Sequence, residues 1–405
     1  MLNLANVRSQ FPALQQKVHG HDLVYLDSAA TTLKPKSVIE RITQFNSFET
    51  ANVHRGAHFL SDKATVEFEA AREKIRNFLN ASATEEIIFT KGTTEGINLI
   101  ASSYGEQYLQ SGDEIVLTEL EHHANIVPWQ MLAQKKNCKI KYIPVTTEGD
   151  LDYSSLDQII TKKTKLISFS GCSNILGTLV DIKRLVAKAK EVGAVTVLDA
   201  AQLVSQKPID VKNLNVDFLV FSAHKLFGPY GFGVLYGKKE LLEKMPPYQF
   251  GGSMISNVNY DVTTFNELPF KFEAGTPHIE GAVGTAAAID FFKSLDLTEI
   301  FNHEQSLMKK LVAGLQDISG MVLFGTAVEK AAIVSFNIKG AHHSDVGQIL
   351  DQQGVAVRVG HHCTQPLLKK YDLTGTVRVS ISIYNNENDI DLFLVAIQKA
   401  KRMLL

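Results

Sequence analysis

Apolar runs of strand length recur through the middle of the chain. They are EIIFT near residue 86, EIVLT near 114, KLISFS near 165, AVTVLD near 194, DFLVFS near 217 and GFGVLYG near 231. Between several of them lie segments with helical spacing of apolar residues, such as TTEGINLIASSYGEQYLQSG and DIKRLVAKAKEVG, the second closing on a glycine. Nearly all-apolar strands that alternate with helices predict an α/β fold with a mostly parallel sheet covered by helices.

The pattern changes after about residue 290. A long helical segment is followed by the strand-like runs AAIVSFNI, GVAVRVG and TVRVSISIY and by a terminal helical segment, which predicts a smaller α+β unit. The 405 residues exceed the roughly 250–300 at which single cores usually stop growing. We therefore predict a large domain over residues 21–290 and a small C-terminal domain over residues 291–405, with residues 1–20 packing against the small one.

Composition limits the kinds of partner molecule and the cellular compartment that we expect for this chain. Charged residues make up 21 % of the chain and the formal net charge is −2, so neither nucleic acid nor an acidic membrane is expected as a partner. The start lacks a signal-peptide pattern and no stretch supplies about 18 consecutive apolar residues, which predicts a cytoplasmic protein without a membrane span. Cys138, Cys172 and Cys363 lie far apart without a CxxC pair, as expected in a reducing compartment.

Polar residues follow two of the predicted strands directly. Asp199 ends AVTVLD, and the next strand runs into Ser222, His224 and Lys225 of DFLVFSAHKLFG. These residues are expected to share one site, because function gathers at the carboxyl ends of parallel strands. A lysine that forms a Schiff base and a carboxylate that keeps a pyridine nitrogen protonated are what pyridoxal phosphate chemistry requires. Each residue alone also fits a helix cap or a solvated side chain.

Two further polar turns follow strands. FTKGTTEGINLIA places Thr94 and backbone N–H groups at a helix start, which suits a phosphate group, although ordinary helix capping uses the same residues. The chain has no GxxxxGK[ST] motif, so a nucleotide is the less favoured ligand. EHHANIVPW places His122 and His123 after another strand, where one ring would stack on a planar cofactor. The pair alone is a poor metal motif.

The segment GHHCTQP places Cys363 behind His361 and His362. Three consecutive residues on regular backbone cannot all ligate one ion, and we predict no metal site. A buried structural cysteine is commoner in general, but this one follows the strand-like run GVAVRVG and precedes Pro366, which favours a loop. Beside imidazoles and Arg358, an accessible thiol can ionise and act as a nucleophile.

Alternation in TVRVSISIY isolates an arginine. Val377, Val379 and Ile381 share one face of the predicted strand, and Arg378 lies on the other with two serines. A solvated arginine on an edge strand is one interpretation. A guanidinium that grips the α-carboxylate of an amino-acid substrate is the other.

Seven segments appear in the order of one known family: GTTEGIN, EHHANIVPW, SNILGT, DAAQ, SAHKLFGP, FEAGTPH and RVGHHCTQPL. With them the chain resembles the group II cysteine desulfurases, the SufS/CsdA-like family of fold-type I pyridoxal phosphate enzymes. The motifs run from about residue 25 to 385, nearly the whole chain. The resemblance implies a large cofactor-binding domain and a small domain that carries the catalytic cysteine.

The resemblance also implies roles around the cofactor, pyridoxal 5′-phosphate. Lys225 forms the Schiff base, Asp199 contacts the pyridine nitrogen and Gln202 the ring hydroxyl. His122 stacks on the ring and takes part in catalysis, while His123 is left without a role. The implied phosphate donors are Thr94, Ser222, His224 and, from a second subunit, Thr276. Because one donor comes from a second subunit, a homodimer is implied.

For the substrate, the resemblance implies that Arg378 binds the carboxylate with help from Asn174, and that His54 and Arg55 lie nearby. Cys363 attacks the sulfur of L-cysteine, which leaves L-alanine and a persulfide. The persulfide passes to a SufE/CsdE-like acceptor protein of iron–sulfur cluster assembly, and turnover is slow without that partner. Selenocysteine and cysteine sulfinate remain possible further substrates.

Two other functions stay open at this point. The chain could be a pyridoxal phosphate-dependent lyase or aminotransferase in which Cys363 is not catalytic, or a non-catalytic scaffold protein that retained the fold.

Overall fold

The chain folds around a large sheet in its first part and a smaller sheet in its last part. The computed structural model describes residues 4–405. Its strands are β1 Lys17–Val18, β2 His21–Asp22, β3 Val24–Tyr25, β4 Ile87–Thr90, β5 Glu114–Thr118, β6 Lys139–Ile143, β7 Thr164–Ser170, β8 Val195–Asp199, β9 Phe218–Ser222, β10 Gly233–Gly237, β11 Ile255–Val258, β12 Thr263–Phe265, β13 Met321–Phe324, β14 Ile333–Ile338, β15 Val355–Ala356, β16 Arg358–Gly360 and β17 Thr376–Ser380. Its α-helices are α1 Leu4–Ser9, α2 Lys36–Phe48, α3 Phe59–Leu79, α4 Thr93–Ile100, α5 Glu106–Tyr108, α6 Val127–Lys136, α7 Leu156–Ile159, α8 Ile182–Val192, α9 Val211–Leu214, α10 Lys239–Lys244, α11 Ile279–Lys293, α12 Leu297–Gln316, α13 His343–Asp351, α14 Gln365–Lys370 and α15 Glu387–Leu404.

The large sheet has seven strands in the order β4-β10-β9-β8-β7-β5-β6. Neighbours from β9 to β6 are parallel, and β10 runs antiparallel to both β9 and β4. β4 is therefore parallel to β9. As a result, the carboxyl ends of β4, β5, β7, β8 and β9 all lie on one edge of the sheet.

The apolar runs seen in the sequence form this sheet. All six predicted runs are strands, and β5, β9 and β10 are buried along their whole length. β6 was not predicted. It lies at the edge of the sheet and is partly exposed, so its sequence KIKYI mixes lysines with apolar residues. The predicted helix DIKRLVAKAKEV corresponds to α8, which Asp181 precedes and Gly193 follows, the glycine with a φ of 73°.

The smaller sheet is antiparallel, with strands in the order β13-β14-β17-β16. Helices α12, α13 and α15 supply apolar side chains to its core, among them Leu311, Leu350 and Phe393. Val24 and Leu26 also pack in this core, and β3 pairs with β15. The early segment around β3 therefore lies against the C-terminal unit. The boundaries at residues 20/21 and 290/291 stay predictions.

The N-terminal segment contacts both parts of the chain. Arg8 donates hydrogen bonds to Asp389 of α15 and to the Tyr384 carbonyl, whereas Phe11 packs against Phe227 and Phe291. Residues 1–3, also part of the predicted N-terminal segment, lie outside the described residues. Along residues 4–405 we find no helix whose length and hydropathy would let it traverse a membrane.

Candidate active site

A cavity of about 220 Å³ lies at the carboxyl edge of the large sheet. Each strand of that edge delivers one turn to it, because parallel strands end at the same level. Most of the residues that the sequence predicted as functional line this cavity: Thr94, His122, Asn174, Asp199, Gln202, Ser222, His224, Lys225 and Cys363.

Lys225 and Asp199 lie in the cavity wall, where Asp199 is buried and Lys225 is half-buried. β8 ends on Asp199, and β9 leads into the turn that carries Lys225. Burial lowers the pKa of Lys225 to about 8, although the Asp199 carboxylate opposes that shift. Burial raises the pKa of Asp199, whose Oδ1 accepts a hydrogen bond from the backbone N–H of Ala201 at 2.8 Å. The amine can therefore become neutral near physiological pH, which a nucleophile on a carbonyl carbon requires.

The start of α4 and the end of β9 form a polar pocket for an anion. Ser222 Oγ accepts a hydrogen bond from the Thr93 backbone N–H at 2.9 Å and lies 2.9 Å from Thr93 Oγ1. Gly92 has a φ of 153°, and a Cβ there would lie 3.0 Å from Ser222 Oγ, so glycine keeps this space open. His224 Nδ1 is buried and lacks a hydrogen-bond partner within the described chain.

These features fit pyridoxal phosphate. An unpartnered imidazole nitrogen and a helix start suit the phosphate, and a buried carboxylate suits the pyridine nitrogen. Gln202 donates from Nε2 to the Ala29 carbonyl at 2.7 Å, which holds its side chain at the cavity. Sequence reasoning named Thr94 for the phosphate and missed its neighbour Thr93.

His122 is a neutral ring at the cavity. Burial, together with the nearby Lys225 cation, lowers the pKa of His122 to about 3. Its Nδ1 accepts a hydrogen bond from the Ala124 backbone N–H at 3.0 Å, which leaves the proton on Nε2. A flat, uncharged ring suits stacking on an aromatic cofactor.

The turn of His122 rests on a buried carboxylate that the sequence analysis missed. Glu121 accepts hydrogen bonds from the side chains of Thr118, Asn125 and Ser170 at 2.5–2.7 Å. Burial raises the pKa of Glu121 to about 7. Its hydrogen-bond partners come from β5, β7 and the next turn. In the sequence Glu121 is seen only as a glutamate before two histidines, which does not indicate these distant partners.

Cys363 is half-buried on a loop with unusual backbone geometry. His362 and Cys363 have φ values of 49° and 57°, in the left-handed region that side chains with a Cβ rarely adopt. Asn174 Nδ2 donates to the His362 carbonyl and the His123 backbone N–H donates to the Cys363 carbonyl, each at 2.7 Å. The Arg358 guanidinium lies 3.7 Å from Cys363 Sγ. Contacts from other elements thus hold the thiol at the cavity.

Arg378 is fully buried rather than solvated. It donates from Nη1 to the Asn174 carbonyl at 2.8 Å and from Nη2 to Asp27 Oδ1 at 2.9 Å, and its Nε lacks a partner within the described chain. Burial raises the pKa of Asp27 in spite of this ion pair. Arg358 is its cross-strand partner in the smaller sheet, so the two arginine side chains share one face of that sheet. This pair suits a carboxylate ligand.

Three predicted residues lie elsewhere within the single chain. His54 and Arg55 line a different cavity of about 250 Å³, where Arg55 donates to Ser253 Oγ at 3.2 Å and His54 Nε2 lies 3.2 Å from Glu69 Oε1. Thr276 lines a neighbouring cavity of about 370 Å³. One chain does not bring these three residues together with Lys225.

Comparison with known proteins supports the same type of site. The family model described as aminotransferase class-V matches residues 24–393. The chain belongs to the aminotransferase class-V family. Within this family it is 46 % identical over 404 residues to a probable cysteine desulfurase of Vibrio cholerae, with all of both chains covered. A probable cysteine desulfurase of Halalkalibacterium halodurans is 46 % identical over 400 residues, which cover 99 % of this chain and 98 % of that one.

Comparison with solved structures shows that the similarity includes the fold. The cysteine desulfurase CsdA of Escherichia coli has a TM-score of 0.93 at 39 % identity, with all of both chains covered. The apo cysteine desulfurase of Thermococcus onnurineus NA1 has a TM-score of 0.94 at 39 % identity, with 99 % of both chains covered. The predicted fold type, the pyridoxal phosphate cofactor and, at the level of this family, the cysteine desulfurase activity are confirmed. The residue roles stay predictions.

His123, which had no predicted role, clamps the cysteine loop in this class-V aminotransferase fold. In addition to its backbone bond to Cys363, its Nε2 accepts a hydrogen bond from the Gln365 backbone N–H at 3.1 Å. We expect His123→Ala to raise the rate of Cys363 alkylation by iodoacetamide about fivefold, because one hydrogen bond of about 1 kcal/mol no longer restrains the loop. Mass spectrometry of the Cys363 peptide measures this rate. An unchanged rate, with His21→Ala as the exposed-histidine control, would argue against the clamp.

Proposed function

We propose that this chain removes sulfur from L-cysteine and holds it as a persulfide on Cys363. The observation that carries the proposal is that Cys363 lines the same cavity as Lys225 and Asp199. When bound there, pyridoxal phosphate supplies an aldehyde and an electron-withdrawing ring. Lys225, Asp199, Gln202 and His122 would hold its ring, and the residues that would hold its phosphate are Thr93, Thr94, Ser222 and His224.

The substrate is oriented by two arginines. Arg378 and Arg358 grip the carboxylate, and Asn174, which accepts from Arg378, links this grip to the cysteine loop. Lys225, with a pKa of about 8, takes and returns a proton at Nζ. His122 Nε2 holds a second proton at the cavity.

Cys363 then takes the sulfur. Its thiolate forms an S–S bond with the substrate sulfur while the substrate C–S bond breaks. The electron pair of that bond stays with the carbon, which gains a proton to give alanine. The Arg358 guanidinium lies 3.7 Å from the sulfur that makes this attack.

The experiment that tests this function is incubation of the purified holoenzyme with L-cysteine. We expect one alanine for each sulfur transferred, and a mass increase of one sulfur atom on the peptide that contains Cys363. Alanine without a modified Cys363, or pyruvate or a keto acid in place of alanine, would instead support a lyase or an aminotransferase.

Arg378→Lys is expected to raise the KM for L-cysteine by about 10- to 100-fold and to lower kcat less, because an ammonium cannot replace the bidentate fork. Steady-state alanine formation measures both constants. The control is Lys399→Arg, at an exposed lysine that donates to Gln353, and it should leave both constants unchanged. A KM within twofold of wild type in Arg378→Lys would remove the arginine from carboxylate binding.

We further infer that the active enzyme is a homodimer. His54, Arg55 and Thr276 lie away from Lys225 in one chain, so the same residues of a second copy are available to complete its cavity. Mixing inactive Lys225→Ala and Thr276→Val chains should restore activity if a site draws on both copies. Mixtures with no more activity than their components would place Thr276 outside the site.

The proposed next carrier of sulfur is a SufE/CsdE-like acceptor protein of iron–sulfur cluster assembly. A half-buried thiol on a surface loop is open to a second protein, and transfer of labelled sulfur from Cys363 to such an acceptor tests this step. We place the enzyme in the cytoplasm, because the cysteines Cys138, Cys172 and Cys363 are free and the proposed chemistry needs a reduced thiol.

A further inference from the structure

His123, His361 and Cys363 converge beside the active-site cavity. One potential ligand atom from each lies within 4.8 Å of the other two. The sequence analysis weighed the consecutive residues His361, His362 and Cys363 and, separately, the pair His122 and His123, and predicted no metal site. His362 does turn inward, with Nε2 3.0 Å from Thr376 Oγ1, but His123 arrives from the turn between β5 and α6 to take its place.

Both rings direct an unprotonated nitrogen at the cysteine loop. His361 Nδ1 accepts a hydrogen bond from the Cys363 backbone N–H, and His123 Nε2 accepts one from the Gln365 backbone N–H, each at 3.1 Å. A nitrogen that accepts a hydrogen bond carries a free lone pair. Burial lowers the pKa of His123, which keeps this ring neutral. Neutral imidazoles are the form that binds metal ions.

We propose that His123, His361 and Cys363 bind a thiophilic divalent cation of the Zn²⁺ class. Two imidazoles and one thiolate are ligands that Zn²⁺ prefers, and three protein ligands leave a fourth position for water. When the ion binds, the Cys363 thiol releases its proton to solvent and its sulfur donates an electron pair to the metal.

Binding requires a small contraction of the cluster. Metal–ligand bonds of about 2.0–2.3 Å in a tetrahedral site place ligand atoms about 3.3–3.7 Å apart, closer than the 4.8 Å limit found here. His361 is exposed and Cys363 is half-buried on the same loop, so both side chains have room to move. The rings exchange two backbone hydrogen bonds for metal bonds. Arg358 turns away from Sγ, because its positive charge repels the ion.

The bound ion blocks sulfur transfer, since the electron pair that would attack the substrate is used in the metal bond. This consequence rests on the proposed role of Cys363. Metal binding does not depend on that role, and metal binding and inhibition are measured separately.

The test is titration of the holoenzyme, in buffer free of chelators and added thiols, with Zn²⁺ in competition with a chromophoric chelator. Co²⁺ serves as a second probe, since four-coordinate thiolate-bound Co²⁺ shows visible bands at longer wavelength than the cofactor. We expect a single ion per chain, affinity lowered at least about tenfold by His361→Ala, and loss of the Co²⁺ bands in Cys363→Ser. His21→Ala and Cys138→Ala are the matched histidine and cysteine controls and should bind as the wild type does.

Unchanged affinity in His361→Ala or Cys363→Ser, or no binding by the wild type, would overturn the site. Retained cofactor absorbance shows that each variant is folded, and His361→Asn replaces His361→Ala if the alanine variant loses the cofactor. Alanine formation without added metal is assayed in parallel. If no alanine forms without added metal, the proposed function is wrong. If the metal binds but alanine formation is unaffected, the proposed inhibition is wrong.

Discussion

Cys363→Ala is expected to lower alanine formation from L-cysteine by at least about 10³-fold, because the group that accepts the substrate sulfur is removed. The cofactor should remain bound, since the cysteine loop lies on the smaller unit and Lys225 and Asp199 are untouched. Alanine quantification and the cofactor absorbance band measure the two properties on the same sample.

Cys138→Ala is the matched control for this substitution. Cys138 is also a free, partly exposed cysteine, but it precedes the edge strand β6 and does not line the cavity. It should retain the wild-type rate. If alanine formation survives in Cys363→Ala, the persulfide mechanism is wrong and the enzyme is a lyase or an aminotransferase with an incidental cysteine.

Lys225→Ala should lose both the covalent link to the cofactor and at least about 10³-fold of the activity. Burial lowers the pKa of Lys225 to about 8, so the neutral, nucleophilic amine becomes the main form once the pH exceeds about 8. Treatment of the wild type with borohydride should fix the cofactor to the peptide that contains Lys225. The variant should release its cofactor on denaturation.

Lys330→Met tests whether a low pKa alone lets a lysine bind the cofactor covalently, or whether the lysine must also line the cavity. Burial also lowers the pKa of Lys330 to about 8, but this lysine donates to the Gly325 carbonyl and does not line the cavity. Its replacement should leave the borohydride-fixed peptide unchanged. Cofactor fixed to Lys330, or still fixed in Lys225→Ala, would contradict the assignment.

Much of the large sheet was predictable because its signal is local. A strand buried on both faces must be apolar at every position, so β5, β9 and β10 appear in the sequence as unbroken apolar runs. Asp199 and Lys225 were predicted together for the same reason: each follows such a run, and parallel strands end at one edge. Edge strand β6 lacks that constraint and was missed.

The substrate side of the site was predicted less completely. The alternation of apolar and polar residues placed Arg378 on the polar face of its strand but did not show which groups surround it. Its ion pair with Asp27 joins residues 351 positions apart. The cluster of His123 with Cys363 likewise joins residues that are far apart in the sequence. The prediction that this segment binds no metal was made without the approach of His123 to Cys363, and it stays a prediction.

The sequence by itself determined the buried strands of the large sheet, the order of the motifs and the residue types that the chemistry needs, because apolar periodicity and local spacing are properties of neighbouring residues. Tertiary structure alone decided that Asn174 and His123 hold the cysteine loop, that Arg378 is buried against Asp27, and that His54, Arg55 and Thr276 lie away from Lys225 within one chain. The hydrogen bonds that hold the cysteine loop and Arg378 join residues with no regular spacing along the chain, so local sequence patterns do not show them.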